Sequence, residues 1–393
     1  MTVLVESVQL RNGAVLDDRI VMAPMVTFSG NEDGTITDEQ LAYYAERSQV
    51  GSMIIAETMY IDEPGLAFKG ELGICRDAHM PGLTRLTETI KQHGAKAIAQ
   101  LHHGGREAGV YFDRGGVPVV PSQMDLPFLD YPVRELSHDE IGEIVRKYGA
   151  ATRRAIDAGF DGVEIHGANH YLIQQFFSAY SNRRTDEYGG SRDNRMRFAL
   201  EVAQEVFAVV AQHAPAGFIV GIRISQEEVH GSTVGFDHAD NVALIERLND
   251  YAFDYLHISA MGDAVAGYLA TPHGLDVTFG ELYRQALAPE TRLVLCGSIL
   301  TPADAEHAVR IGDLAAIARE ALMEPRFALK LHEGRASEIV SEISPERLDA
   351  VVWPEGLRTM IVQGFRKGNQ TGHGYNTLVP LPNDESIIQY AKA

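Results

Sequence analysis

Eight short apolar runs recur along the 393-residue chain, each followed by a segment of helical periodicity, and this alternation narrows the possible folds more than any other feature. The apolar runs lie at 19–25, 52–57, 95–101, 160–165, 218–224, 254–258, 292–296 and 313–318. The helical segments lie at 38–50, 80–93, 137–158, 193–213, 238–250, 278–287, 302–310 and 320–333. Eight strand–helix units are the number that closes a parallel (β/α)8 TIM barrel. A doubly wound α/β sheet would usually need fewer repeats and would carry its phosphate loop after the first strand.

Local signals support these boundaries. Ser137 with Glu140 three residues on reads as a capping box, and Thr301 precedes Pro302 at a first helical position. The stretch VQLRNGAVL, residues 8–16, reads as a β-hairpin with a type I′ turn at Asn12–Gly13, a cap for the barrel floor. Residues 1–334 are therefore expected to form the barrel domain, and 335–393, with Trp353, a C-terminal extension packed on it. Two stretches exceed the basic unit, the Gly/Pro-rich 104–136 and 175–195, and long aperiodic loops in a compact domain usually carry function.

Charge and composition exclude some partners. With 34 Lys and Arg against 54 Asp and Glu, the net charge of −20 argues against nucleic acid or an anionic membrane bound through a general basic surface. No run approaches the ~20 apolar residues that span a bilayer, and MTVLVESVQL has no basic region before a cleavable apolar stretch. A cytoplasmic protein acting on a small molecule is expected, with its oligomeric state open. Cys75 and Cys296 stand alone in their segments and read as two reduced thiols; iron–sulfur and zinc spacings are absent.

In a barrel the C-terminal ends of the strands line one mouth. Here they are Pro24–Met25–Val26, Glu57–Thr58, Gln100 with His102 and His103, His166, Arg223, His257 to Ser259, Gly297–Ser298 and Arg319. Nearly every run ends in a hydrogen-bonding group, which a purely structural barrel would not require. A buried arginine at 223 must pair with a carboxylate such as Glu164 or Glu57, or face a ligand that carries or develops negative charge. Gly297–Ser298 with Arg319 before a helix N-terminus form a phosphate cradle at the place where barrels commonly hold phosphate. In DGVEIHGANHYLIQQF, His166 and Asn169 can point two donors at one carbonyl or nitro oxygen, and Tyr171 suits proton donation, while His170 reads as a loop histidine with a structural bond.

Three other readings compete. A metal centre from His102, His103, His166, His257 and Glu57 lacks a paired histidine at the first strand and an aspartate at the eighth. A flavin-free aldolase or isomerase using the same phosphate cradle on a sugar phosphate would want a Schiff-base lysine or a carboxylate base at a strand end, and no lysine occupies any of these ends. A catalytically silent barrel acting as a binding module would have no need for His166, Asn169 and Tyr171 together.

The segments NEDGTITDEQLAYYAERS, QLHHGGREA, GFDGVEIHGANHYLIQQFFSAYSNRRTDEYGGSRDNRMRF, GIRIS, CGSIL and AREALMEPRF resemble the old yellow enzyme family, in particular its bacterial NADH:flavin oxidoreductase members, over about residues 15–333. The resemblance implies an FMN-dependent NAD(P)H oxidoreductase of the ene-reductase type. NADH or NADPH would reduce the flavin, which would then pass hydride to an α,β-unsaturated carbonyl or similar acceptor in a ping-pong sequence. It implies FMN held by Ala23, Pro24, Met25, Val26, Thr58, Gln100, Arg223, Gly297, Ser298, Ala318 and Arg319. It also implies an acceptor bound by His166 and Asn169 beside Phe28, with Tyr171 as proton donor. Nicotinamide and acceptor would then compete for His166 and Asn169. Three departures stand out: Val26 where many relatives carry threonine or cysteine, Phe28 where some carry tyrosine, and Thr58 in place of a smaller residue. Neither Arg114 nor Arg134 lies in a motif that would decide between NADH and NADPH.

Overall fold

The eight apolar runs pair edge to edge. In the computed structural model, which describes residues 2–124, 129–230, 232–260, 267–341, 347 and 350–366, they form β1 (Ile20–Met22), β2 (Met53–Tyr60), β3 (Lys96–His102), β4 (Gly162–Gly167), β5 (Ile219–Ser225), β6 (Tyr255–Ser259), β7 (Arg292–Cys296) and β8 (Leu314–Ile317). Each pairs in parallel with the next, and β1 pairs with both β2 and β8, so the sheet closes into the expected barrel. Helices such as His138–Asp157 and Arg192–His213 pack outside, several entered through capping boxes at Thr37, Ser137, Asp237, Thr278 and Thr301. Each cap contributes about 1 kcal/mol and fixes where the loop stops and the helix begins.

The floor of the barrel is filled by Val21, Met53, Ile55, Ile98, Ile219, Tyr255, Val294 and Leu314, against which Val8, Leu10 and Leu16 of the N-terminal hairpin pack. Asn12 fastens this plug through its backbone N–H to Asp254 Oδ1 (2.9 Å) and its Nδ2 to the carbonyl of Phe218 (2.8 Å). The turn differs from the type I′ expectation. Gly13 donates to the carbonyl of Leu10 and Leu10 to that of Ala14, giving a three-residue loop in which Gly13, at φ 91°, takes the left-handed position and Asn12 does not.

Two further differences shape the mouth. β2 carries a bulge, with Ile55 opposite Ile98 but Thr58 opposite Gln100, so one extra residue is inserted before the strand end. The segment 320–333 is two single turns, Arg319–Met323 and Phe327–His332, because Pro325 between them cannot continue a helix. A five-residue turn supplies little dipole, so the cradle rests on Arg319 and the preceding loop rather than on a helix terminus.

Residues 350–360 dock on the barrel. Val351, Trp353 and Leu357 join its main core, Trp353 Nε1 donates to the carbonyl of Leu322 (2.9 Å), and the buried Arg47 guanidinium ties the carbonyls of Ala321, Leu322 and Val351. Gly356 donates to Ser29 Oγ, and its Cα lies so close to the Phe28 carbonyl that a Cβ would sit 2.0 Å from that oxygen. Residues 367–393 of the expected extension lie outside the described residues. Among the described residues no helix is long and apolar enough to cross a membrane, and Cys75 and Cys296 are free.

Candidate active site

Register places the polar strand ends in rows. Thr58, Gln100 and Glu164 align across β2, β3 and β4, and two residues further on His166, Arg223 and His257 align across β4, β5 and β6. Successive side chains on a strand alternate faces, so each row points into the barrel together.

The lower row is tied laterally. Gln100 Nε2 donates to Glu164 Oε1 (2.7 Å), and Glu164 Oε2 meets His257 Nδ1 at 2.9 Å. Burial alone would raise the Glu164 pKa, but His257, Arg223 and the Gln100 bond outweigh it and keep the carboxylate charged; Glu164 in turn raises His257 against its own burial. Several buried polar atoms of the two rows have no hydrogen-bond partner among the described residues: Gln100 Oε1, Thr58 Oγ1 and Arg223 Nε. Each leaves a desolvation cost of about 1–3 kcal/mol that a polar ligand would remove. Arg223 makes no ion pair with Glu164 or Glu57 among the described residues; its Nη2 lies 3.7 Å from Cys296 Sγ.

Glu57, expected at the mouth, is turned away from it. The bulge sends its carboxyl outward to Thr27 N and Oγ1, Gln40 Nε2 and Tyr44 O–H, and burial pushes its pKa up to about 8. Thr27 is committed to this cluster, which leaves the partly exposed Pro24, Met25 and Val26 beside buried Ala23 at the end of β1. At the other side of the mouth, Gly297 and Ser298 follow β7 with φ of 93° and 56°, next to the partly exposed Ala318 and Arg319 after β8. A Cβ on Gly297 would lie 2.8 Å from that of Ala260, so glycine is required there. The Arg319 side chain has no hydrogen bond or ion pair to another described residue.

His166 of the upper row and the loop that follows β4 form the acceptor site. His166 Nδ1 accepts the N–H of Ala168 (3.4 Å), which leaves the ring proton on Nε2. Burial, then the influence of His102, Arg223 and His257, holds its pKa well below the ordinary histidine value, so the ring is a neutral donor. Asn169, at φ 58°, accepts the Ser259 hydroxyl on Oδ1 (2.7 Å) and donates its backbone N–H to Ser225 Oγ (2.9 Å), so its Nδ2 is the outward donor. His170 is engaged by Gln174 through both its N–H and its Nδ1, a structural role. His103 is buried behind Gly65, with Nδ1 accepting from Gly105, and takes no part in the mouth.

Tyr171 belongs to an aromatic box. Its ring centroid lies 4.9 Å from His166, 4.3 Å from His102 and 6.1 Å from Phe68; Phe68 also stacks on His102 (5.9 Å) and meets the edge of Phe28 (6.0 Å). Phe28 thus reaches the box through Phe68. Sequence reasoning missed Phe68 and Glu71, whose carboxylate meets His102 Nδ1 at 2.7 Å; both come from a loop with no periodic signal.

The set of unpartnered atoms in the two rows, an arginine by a glycine turn, and two aimed donors fits a flavin mononucleotide in chemistry: polar groups for a pyrimidine edge, a cation for a phosphate and donors for an acceptor. The sequence profile of the NADH:flavin oxidoreductase / NADH oxidase family matches residues 4–338. The chain belongs to that family. It is a flavin-dependent oxidoreductase related to old yellow enzyme. It is 38% identical over 361 residues to the probable NADH-dependent flavin oxidoreductase YqiG of Bacillus subtilis, covering 91% of this chain and 95% of that one. It is 40% identical over 352 residues to the NADH:fumarate oxidoreductase of Klebsiella pneumoniae, covering 88% of this chain but only 38% of that longer protein. Among solved structures, morphinone reductase in complex with tetrahydroNAD superposes with a TM-score of 0.74 at 29% identity, over 90% of this chain and 96% of that one. The old yellow enzyme homologue of Zymomonas mobilis gives 0.75 at 26% identity, over 90% and 98%.

Proposed function

We propose that this chain transfers hydride from reduced FMN to an electron-poor alkene, or to a similar acceptor such as a quinone or nitro compound, in a ping-pong sequence with NAD(P)H. The observation that carries this reading is the orientation of two donors. His166 keeps its proton on Nε2 because Nδ1 accepts from Ala168, and Asn169 presents Nδ2 because Oδ1 accepts from Ser259. Two fixed donors stabilise the negative charge that gathers on a carbonyl oxygen when hydride adds to the conjugated carbon. Tyr171, between them and the apolar rings of Phe68 and Phe28, delivers the proton to the neighbouring carbon.

When bound, FMN supplies the hydride chemistry. Ala23, Pro24, Met25, Val26 and Thr58 would line its edge, Gln100 and Arg223 would meet its pyrimidine, and Gly297, Ser298, Ala318 and Arg319 would hold its phosphate. The unpartnered Gln100 Oε1 and Arg223 Nε support the pyrimidine assignment. NADH is the donor this reading favours: Arg134 is held bidentately by Glu140 (2.9 and 2.8 Å) and Arg114 by the Glu32 carbonyl (2.7 Å), so neither is poised for a 2′-phosphate. Relatives at 38–40% identity are named for NADH, while others at 34–36% are named NADPH dehydrogenases. The division into a 1–334 barrel and a 335–393 extension is part of the proposal, supported by the docking of Val351 and Trp353.

The test is spectroscopic. Purified protein is expected to be yellow, to bleach anaerobically with NADH faster than with NADPH, and to recolour on adding a cyclic enone. A colourless protein that does not take up added FMN would overturn the proposal.

A further inference from the structure

Two donors hold a carbonyl oxygen but cannot hold an amino group. A nicotinamide carboxamide presents both, and the described residues of the box contain one buried ring nitrogen free to take the second. His102 is fully buried as the last residue of β3, its ring 5.6 Å from that of His166 and 4.3 Å from that of Tyr171. Its Nδ1 is 2.7 Å from Glu71 Oε1. The carboxylate can only accept, so the ring carries a proton on Nδ1, and the tautomer with that single proton has its lone pair on Nε2. That Nε2 is shielded from water and has no hydrogen-bond partner among the described residues. Buried nitrogens are seldom left so.

We infer that His102, oriented by Glu71, accepts a hydrogen bond from the amino group of the nicotinamide carboxamide, so that the site distinguishes a carboxamide hydride donor from an acceptor with a bare carbonyl. This rests on the reading of the site as one that receives nicotinamide beside His166 and Asn169. It adds a means by which one pocket serves two ligands in turn: both share the donor pair, and only the carboxamide engages His102.

Glu71 makes the orientation testable. Its Oε2 accepts the backbone N–H groups of Ala67 (2.9 Å) and Phe68 (3.1 Å) and must remain an acceptor. In Glu71→Gln the amide oxygen therefore stays with those two N–H groups and the NH2 faces His102 Nδ1. That moves the ring proton to Nε2 and converts the acceptor into a donor.

The experiment measures, by calorimetry on FMN-loaded protein, the binding of 1,4,5,6-tetrahydro-NAD and of its counterpart with a 3-acetyl group, which keeps the carbonyl and lacks the amino group. Wild type is expected to prefer the carboxamide by about tenfold, one neutral hydrogen bond. Read as the ratio of the two affinities within each protein, that preference should be lost in Glu71→Gln and in His102→Phe and kept in Tyr171→Phe. Equal binding of the two compounds by wild type, or loss of the preference in Tyr171→Phe alone, overturns the inference. If neither compound binds and no FMN is retained, it is the assignment of the site that has failed.

Discussion

The Ser259 hydroxyl, at the end of β6, donates to Oδ1 of Asn169, which follows β4, across 2.7 Å. A side-chain amide accepts only at its oxygen and donates only at its NH2, so a donor fixed on the oxygen decides which end faces a ligand. Removing that bond by Ser259→Ala should let the amide turn over. A neutral hydrogen bond is worth about 1 kcal/mol, so kcat/KM for an enone should fall roughly five- to tenfold with the flavin spectrum unchanged. Steady-state kinetics on holoprotein of measured FMN content checks it.

His166 is neutral because it is buried among His102, Arg223 and His257. Its folded pKa lies far below 6.5, so it stays a neutral Nε2 donor throughout the range where a free histidine titrates. The pH profile of the enone half-reaction should show no break near 6.5 from this group, and His166→Ala should lower kcat/KM by about 10²–10³ as one oxyanion donor is lost. A full acid limb at 6.5 that disappears in the variant would contradict the assignment.

Glu57 has a folded pKa pushed up to about 8 from an ordinary 4.5 by burial. The folded chain therefore holds this proton more tightly than the unfolded one. Its contribution to stability is complete below 4.5, declines as pH rises, and is gone above about 8. Glu320, buried with neither carboxyl oxygen partnered among the described residues and also pushed up to about 8, acts with the same sign. Thermal midpoints should fall between these pH values, and Glu57→Gln should flatten part of that slope.

Val26 offers no hydrogen-bond donor at the end of β1, and Thr27 is turned to Glu57. Val26→Thr should add a donor beside the flavin and raise its reduction potential by stabilising the reduced, more negative ring. Potentiometric titration of both proteins decides it; equal potentials would refute this reading of Val26.

Gly356 lies against the Phe28 carbonyl, where a Cβ would come within 2.0 Å of the oxygen. Gly356→Ala must shift either the extension or the backbone of Phe28, whose φ of 56° is already strained. Expected are a stability loss of about 1–3 kcal/mol and a raised KM for the enone, read by denaturant unfolding and initial rates.

The eight strands and the residues at their ends were legible in the sequence because buried parallel strands read as apolar runs and polar groups interrupt them only where they meet the mouth. Gln100, His166, Arg223 and the Gly297–Ser298 turn are visible on that basis, and the motif around His166 suggested the family. Helix 320–333 failed at Pro325, a breaker the apolar pattern overrode, and the hairpin loop failed because Asn–Gly is compatible with more than one turn.

Sequence order alone determined that eight repeats close a barrel and, apart from β2, which runs past the expected Glu57–Thr58 end to Tyr60, roughly where each strand ends, since both follow from local periodicity. The tertiary structure decided where those side chains point. One bulge in β2 turns Glu57 outward and Thr58 inward, a change that no period-two pattern reveals because it depends on pairing with β3. Glu71 reaches His102 from a loop 31 residues earlier, and Ser259 reaches Asn169 across 90 residues. Contacts at that separation are set by closure of the barrel, which brings distant strand ends to one rim and lets each fix the proton or the amide of another.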